Sequence, residues 1–103
     1  MVKVFAMYKL KPGIDIKDYL DFSINLDQKV TPKQPGVHKF EVYKIFGAED
    51  DESIYQIVEV AEVESFEAFK KVLASKGMEK VEKKFNELVD QSTVKMIYGE
   101  IIK

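Results

Sequence analysis

His38 is the only histidine of the sequence, and histidine is the side chain whose unperturbed pKa lies closest to neutrality. It stands at the start of a predicted strand, directly after Pro35 and Gly36, where a cavity often opens. We therefore predict that His38 acts as a general base or general acid on a small substrate. The alternative is an exposed or hydrogen-bonded histidine at the end of a strand.

Asp27 is the second catalytic candidate, and Ser23 is a candidate for contact with a ligand. Both residues continue a helical pattern that faces the core, which begins with Ile16, Tyr19 and Leu20. A carboxylate on that face loses hydration, so Asp27 could serve as a base or could orient His38. In the alternative the helix is slightly rotated and Asp27 lies in solvent. A different apolar set is then buried, namely Phe22, Leu26 and Val30.

Glu59 is a further candidate for acid/base chemistry because it lies in the middle of an apolar strand. If its side chain turns toward the core, burial raises its pKa and it could exchange protons with a ligand. If it turns away from the core, it pairs with a lysine of the neighbouring strand, Lys39 or Lys44. The sequence leaves both orientations open.

Five tyrosines are many for a chain of 103 residues. A pocket lined by phenols suits an aromatic or polyketide-like ligand, because it combines apolar walls with a few polar anchors. The candidates for such contacts are Tyr8, Tyr19, Tyr43 and Tyr55. The alternative for most of the tyrosines is ordinary aromatic packing, with the hydroxyl groups in water.

The composition argues against several classes of function. The chain has no cysteine and no arginine, and a single histidine supplies too few ligands for a zinc or iron site. No phosphate-binding loop is present, because the five glycines are scattered. We therefore expect neither a metal nor an organic cofactor. The net charge of −2 gives no footprint for nucleic acid, and no apolar run is long enough to span a bilayer, so we expect a cytoplasmic protein.

The residue pattern predicts one domain over residues 1–103 with the element order β-α-β-β-α-β. Alternation of apolar and polar residues predicts strands at 2–10, 37–46, 54–63 and 94–102. A helix is predicted over residues 14–29, with Asp15 as its N-cap. A second helical region begins after Ser65 and is broken at Gly77. Residues 47–53 form an acidic, exposed connection, and residues 91–93 break the last helix.

This order is the split βαβ pattern, so the predicted fold class is α+β and ferredoxin-like. Right-handed crossovers place both helical regions on one face of a four-stranded antiparallel sheet. The other face is then bare, although both faces of the first strand carry large apolar side chains. A bare apolar sheet is usually an interface, so we predict a homodimer that packs the two sheets face to face.

The sequence also resembles the small dimeric α/β-barrel proteins, and most of all the REDY-like HapK family. The residues that carry the resemblance are Tyr8 to Gly13 (YKLKPG), Tyr19, Asp27, Pro35 to Val37 (PGV) and Phe40 to Tyr43 (FEVY). EthD-like proteins, the Dabb domain and the antibiotic-biosynthesis monooxygenases are related groups. The resemblance covers nearly the whole chain.

The resemblance implies a homodimer whose two sheets form a barrel with the helices outside. In members that are enzymes, the pocket often lies between sheet and helices, and many use no metal or organic cofactor. Their reactions include cofactor-independent oxygenation and polyketide cyclisation, often with a histidine or a tyrosine. Only His38 and the tyrosines carry over to this chain. It has no tryptophan and no second histidine to match the monooxygenase pattern.

We therefore predict an enzyme or binding protein of secondary or unassigned metabolism that works without a cofactor. Its ligand is a hydrophobic aromatic or carbonyl compound in a pocket between sheet and helices. The alternative is a structural or regulatory homodimer without a ligand pocket. A filled core between sheet and helices would favour the alternative.

Overall fold

The computed structural model describes residues 1–50 and 52–103. The strands are β1 (Val2–Leu10), β2 (Val37–Lys44), β3 (Ile57–Val63) and β4 (Val89–Gly99). The helices are α1 (Ile16–Phe22), α2 (Gln28–Val30), α3 (Phe66–Leu73) and α4 (Glu79–Leu88). A π-helical turn, Ser23–Asp27, joins α1 to α2, and short 3-10 turns cover Thr31–Lys33 and Lys76–Met78. Asp51, which belongs to the predicted acidic connection, lies outside the described residues.

The four strands form one antiparallel sheet in the order β2-β3-β1-β4, which confirms the ferredoxin-like prediction. The register of the two central strands places Ala6 opposite Glu59 and Tyr8 opposite Ile57. Residues paired across strands, and residues two apart within a strand, share one face of a sheet. Tyr8 and Glu59 therefore lie on the same face, as near neighbours on adjacent strands.

The helices begin where the sequence predicts because side-chain oxygens satisfy their first backbone amides. Asp15 Oδ1 accepts a hydrogen bond from the amide of Lys17 at 2.9 Å. Ser65 Oγ accepts one from the amide of Ala68 at 3.0 Å. Both residues have extended backbone angles, as N-caps do.

Four strand boundaries differ from the predicted ones, and one of them is the end of β4, which stops at Gly99 instead of residue 102. β4 begins at Val89, five residues before the predicted start, and includes the polar residues expected to be a break. Those residues fit because the pairing with β1 shifts register between Met7 and Lys9, where Thr93 Oγ1 accepts a hydrogen bond from the amide of Lys9. β2 ends two residues before its predicted end, and β3 begins three residues after its predicted start. Phe46 and Ile54 therefore lie beyond the strand ends, where they are exposed.

The hydrophobic core lies between the helices and one face of the sheet. Its buried members include Val4, Tyr8, Ile57, Ala61 and Val63 from the two central strands. No helix of the described residues covers the opposite face of the sheet. Its apolar side chains are Phe5, Met7, Tyr43, Val58, Val60 and Ile97, and they are half-buried or exposed. We call this set the open sheet face. In the described part of the chain, no helix is long and apolar enough to cross a membrane.

Candidate functional site

A cavity of about 190 Å³ lies between the sheet and the helices, so the core of the described residues is not filled. Its polar lining is made of Tyr8, Asp27, Thr31, Glu59, Glu82 and Gln91. Its walls are largely aromatic and aliphatic, with Phe40, Phe69, Met78 and Phe85 among them. Three of the polar groups are carboxyls, and no lysine or histidine of the described residues lines the cavity.

The π-helical turn aligns the polar residues of the first helical region with the core. In a regular α-helix, a residue four positions along is rotated by about 40° from the first. The amide of Gln28 bonds to the carbonyl of Ser23, five residues back. This wider turn compensates for part of the rotation of about 40°, so residues four positions apart stay on the same side of the helix. Tyr19, Ser23, Asp27 and Thr31 are consequently all buried. The question left open by the sequence is settled, because Asp27 and Phe22 both face inward.

Glu59 turns toward the helices and accepts a hydrogen bond from the hydroxyl of Tyr8. The hydroxyls of Tyr8 and Tyr19 are 2.6 Å apart and also share a hydrogen bond. The rings pack edge to face, with centroids 6.2 Å apart, and Phe85 packs edge-on against Tyr8 at 5.1 Å. Both tyrosines are buried, so Glu59 meets a phenol whose position is fixed by packing on several sides.

Asp27 is held by a neighbour one helical turn along. The hydroxyl of Thr31 donates to Asp27 Oδ1 at 2.5 Å, and Thr31 also lies 3.8 Å from the sulfur of Met78. Only 3% of Asp27 is exposed. The carboxyl therefore sits in apolar surroundings with a hydroxyl on one of its oxygens.

Burial raises the pKa values of the cavity carboxyls by different amounts. The pKa of Glu59 is raised from 4.5 to about 8, mainly by desolvation and further by the charge of Asp27. The pKa of Asp27 is raised from 3.8 to about 6 by desolvation, against the hydrogen bond from Thr31. Desolvation, followed by the charge of Asp27, also raises the pKa of Glu82. Near pH 7, Glu59 is therefore largely protonated while Asp27 is largely ionised.

Five of the eight residues singled out from the sequence come together here. They are Tyr8, Tyr19, Ser23, Asp27 and Glu59. The structure does not bring His38 to them: its Nε2 lies 2.9 Å from Glu64 Oε1, and 42% of its side chain is exposed. Tyr43 lies on the open sheet face and is 47% exposed. Tyr55 lines a separate shallow groove beside Phe46.

Sequence reasoning did not select Glu82, Thr31 or Gln91 as site residues. Glu82 stands four residues after Met78 and three before Phe85, so it borders the apolar stripe of α4, and this spacing was a usable signal. Thr31 stands four residues after Asp27, but it also opens the proline-containing turn and was interpreted only as a helix end. The sequence predicts a break between elements at Gln91, and no sequence pattern indicates that this residue lies beside the cavity.

The raised pKa of Glu59 gives a prediction about stability. Between the ordinary value of 4.5 and the value of about 8, the folded state binds more protons than the unfolded state, so stability falls as pH rises. Glu59→Gln keeps an acceptor for Tyr8 but cannot ionise. We expect the wild-type protein to lose about 2–4 kcal/mol of unfolding free energy between pH 5 and pH 8 that the variant keeps.

Urea unfolding at the two pH values measures this difference. Glu62→Gln, three residues along β3 from Glu59 and on the opposite face of the sheet, is the matched control and should behave like the wild type. Equal pH dependence in the wild type and Glu59→Gln would contradict the prediction.

Comparisons with known proteins place this chain in a family. The family model described as REDY-like protein HapK matches residues 2–102. No curated protein matches the chain by sequence. Among solved structures, HapK from Hahella chejuensis is similar with a TM-score of 0.81 and 19% identity, over 99% of this chain and 93% of that one.

Two further structures share the fold. A dimeric protein of unknown function with a ferredoxin-like fold from Bacteroides fragilis has a TM-score of 0.71 and 16% identity, over 97% of this chain and 95% of that one. SnoaB, a cofactor-independent oxygenase from Streptomyces nogalater, has a TM-score of 0.72 and 14% identity, over 99% of this chain and 93% of that one. The sequence resemblance is confirmed by the family match: the chain belongs to the REDY-like HapK family.

Proposed function

We propose that the protein binds a small hydrophobic carbonyl compound in the cavity and moves protons on it with its own side chains. Glu59 is the general acid and Asp27 is the general base. The observation that carries this proposal is the pair of carboxyl groups in one apolar cavity whose surroundings push their pKa values apart. Such a pair can hold one proton donor and one proton acceptor at the same pH.

The proposed step is a proton transfer next to a carbonyl group. Ionised Asp27 takes a proton from the carbon beside the carbonyl. The electron pair of that C–H bond becomes the C=C bond of the enol, and the π electron pair of the carbonyl group moves onto its oxygen. Protonated Glu59 donates its hydrogen bond, or its proton, to that oxygen as negative charge develops there. Return of a proton to the same carbon completes an exchange, and return to another carbon of a conjugated system completes an isomerisation. Attack of the enol carbon on a second carbonyl would close a ring.

The size of the cavity limits the ligand. A closed apolar cavity of about 150 Å³ is known to hold benzene, so about 190 Å³ suits one aromatic ring with a short side chain. Phe40, Phe69 and Phe85 supply aromatic walls for such a ring. An anionic ligand is disfavoured, because three carboxyls and no cationic side chain of the described lining face the cavity. A neutral carbonyl compound meets both conditions.

The comparisons support this proposal at the level of the fold. A cofactor-independent oxygenase uses the same architecture, so the fold can position side chains for chemistry without a cofactor. The alternative expectation was a structural or regulatory homodimer without a ligand pocket, which a filled core would favour. The carboxyl-lined cavity favours a role in small-molecule chemistry instead.

We also propose that the protein is a homodimer joined through the open sheet face. Phe5 lies opposite Val60, and Met7 lies opposite Val58, so the apolar side chains of the central strands form one patch. Tyr43 and Ile97 extend it onto the outer strands, each 47% exposed. A patch of this kind is unfavourable in water and is covered when a second copy packs against it. The similar Bacteroides fragilis protein is described as dimeric.

Proton exchange on a ketone tests the proposed chemistry. Phenylacetone in D2O loses the NMR signal of its acidic protons when a catalyst exchanges them. We expect the wild-type protein to accelerate this loss, and Asp27→Asn and Glu59→Gln each to slow it by about 100-fold. The rate should rise through the pKa of Asp27 near 6 and fall above that of Glu59 near 8.

Asp21→Asn, an exposed position of α1, is the matched control and should exchange at the wild-type rate. Exchange by Asp27→Asn at the wild-type rate would contradict the role of Asp27.

His38→Ala distinguishes the cavity carboxyls from His38 as the source of acid/base chemistry. We expect it to remain active because His38 does not line the cavity, and a large loss would return the role to His38.

Light scattering tests the proposed dimer. We expect the wild-type protein at micromolar concentration to have twice the 11.9 kDa mass of one chain. Val60→Lys puts a charge in the centre of the open sheet face and should give single chains. Ala74→Lys, on the exposed end of α3, introduces the same side chain elsewhere and should leave the dimer intact. A wild-type protein of single-chain mass would contradict the dimer.

A further inference from the structure

A chain of hydrogen bonds runs from the protein surface to Glu59. Gln28 is exposed, and its Nε2 lies 2.9 Å from the hydroxyl of Ser23. Ser23 bonds to the phenol of Tyr19, and the hydroxyl of Tyr19 lies 2.6 Å from that of Tyr8. Tyr8 donates to Glu59 Oε2. No side-chain oxygen or nitrogen buried in the described residues lacks a hydrogen-bond partner, so this chain is fully satisfied.

The two ends of the chain fix its direction. The amide nitrogen of Gln28 can only donate, so the Ser23 oxygen accepts from it. The single hydroxyl hydrogen of Tyr8 is on Glu59 Oε2, so the Tyr8 oxygen accepts from Tyr19. The hydrogen of Tyr19 is thereby used as well, so the Tyr19 oxygen accepts from Ser23. Each hydrogen in the chain therefore points toward Glu59. Aligned bonds of this kind strengthen one another where the surroundings exclude water.

We infer that Gln28, Ser23 and Tyr19 are positioning residues that hold the Tyr8 hydroxyl on Glu59 Oε2 and so leave Glu59 Oε1 to carry the proton that meets the ligand. The catalytic meaning of this arrangement rests on the proposed function. Its consequence is that the ligand group at Glu59 is a hydrogen-bond acceptor, such as a carbonyl oxygen. A ligand that presented an N–H group here would meet the proton on Glu59 Oε1, so Glu59 could accept its hydrogen bond only after losing that proton.

The test is the pKa of Glu59 in the free protein, followed by NMR of 13C-labelled glutamate side chains. The titratable groups that face Glu59 are Tyr8 on β1, Tyr19 on α1, Asp27 on the π-helical turn and Glu82 on α4. A donated hydrogen bond stabilises the carboxylate, so its removal raises the pKa. We expect Tyr8→Phe to raise the pKa of Glu59 by about 1–2.

Tyr19→Phe keeps the ring and its packing and removes only the bond to Tyr8. We expect it to raise the pKa of Glu59 by roughly 0.3, in proportion to the strengthening that a neighbouring bond provides. In the Tyr8→Phe background the same change should have no effect, since Tyr19 acts through Tyr8. Tyr98→Phe, an exposed tyrosine stacked on Phe66, is the matched control and should leave the pKa of Glu59 unchanged.

Gln28→Glu tests the chain from the surface, where the fold tolerates change. A carboxylate only accepts, so it would reverse the direction of the hydroxyls and raise the pKa of Glu59. Asn25→Asp places the same charge on the π-helical turn outside the chain and should raise that pKa less.

The inference is overturned if Tyr19→Phe leaves the pKa of Glu59 unchanged, or raises it equally with and without the Tyr8 hydroxyl. An equal effect of Gln28→Glu and Asn25→Asp would also overturn it. These readouts need no ligand. A protein with the expected pKa changes that fails to exchange ketone protons would disprove the proposed function and leave the positioning role standing.

Discussion

The site depends on the hydrogen bond between Tyr8 and Glu59. It joins the two central strands on the face that packs against the helices, beside the cavity. The antiparallel register of β1 and β3, which pairs Ala6 with Glu59, makes the bond possible. A shift of one residue would send Glu59 to the open sheet face, because the side chains of a strand alternate between its two faces. The topology of the sheet is therefore also what positions the acid.

Burying the carboxyl group of Glu59 in the core opposes folding. Desolvation disfavours the charged form, and the charge of Asp27 disfavours it further. The fold offsets this cost with the hydrogen bond from Tyr8 and by holding the proton at neutral pH. The surrounding core then supplies the stability, with Tyr8, Tyr19 and Ile57 wholly buried. A site that costs stability in this way is typical of groups tuned for proton transfer.

Most of the fold could be predicted from the sequence, and the site only in part. The N-caps Asp15 and Ser65 are local signals, and the structure confirms both. The orientation of Glu59 depends on strand register, which no local pattern fixes. The predicted start of β4 was wrong, because residues 91–93 have a loop-like composition but belong to the strand, whose pairing with β1 shifts register there.

The two sequence alternatives for the first helix were both incomplete for a physical reason. In a regular helix Phe22 and Asp27 are about 140° apart around the axis, so they lie at opposite edges of the buried stripe. The π-helical turn lets both face inward, and its presence depends on tertiary packing. His38 stood out because histidine titrates near neutrality, yet its side chain pairs with Glu64 at the surface. Burial has instead raised the pKa values of two carboxyl groups, those of Asp27 and Glu59, toward neutral pH.

The central claim is that the cavity holds a protonated glutamate beside an ionised aspartate at neutral pH. A titration of the wild-type protein that follows the side-chain carboxyl 13C signals of Glu59 and Asp27 tests it most directly. The account predicts that Asp27 titrates near 6 and Glu59 near 8. Titration of both groups near their ordinary values of 3.8 and 4.5 would contradict it.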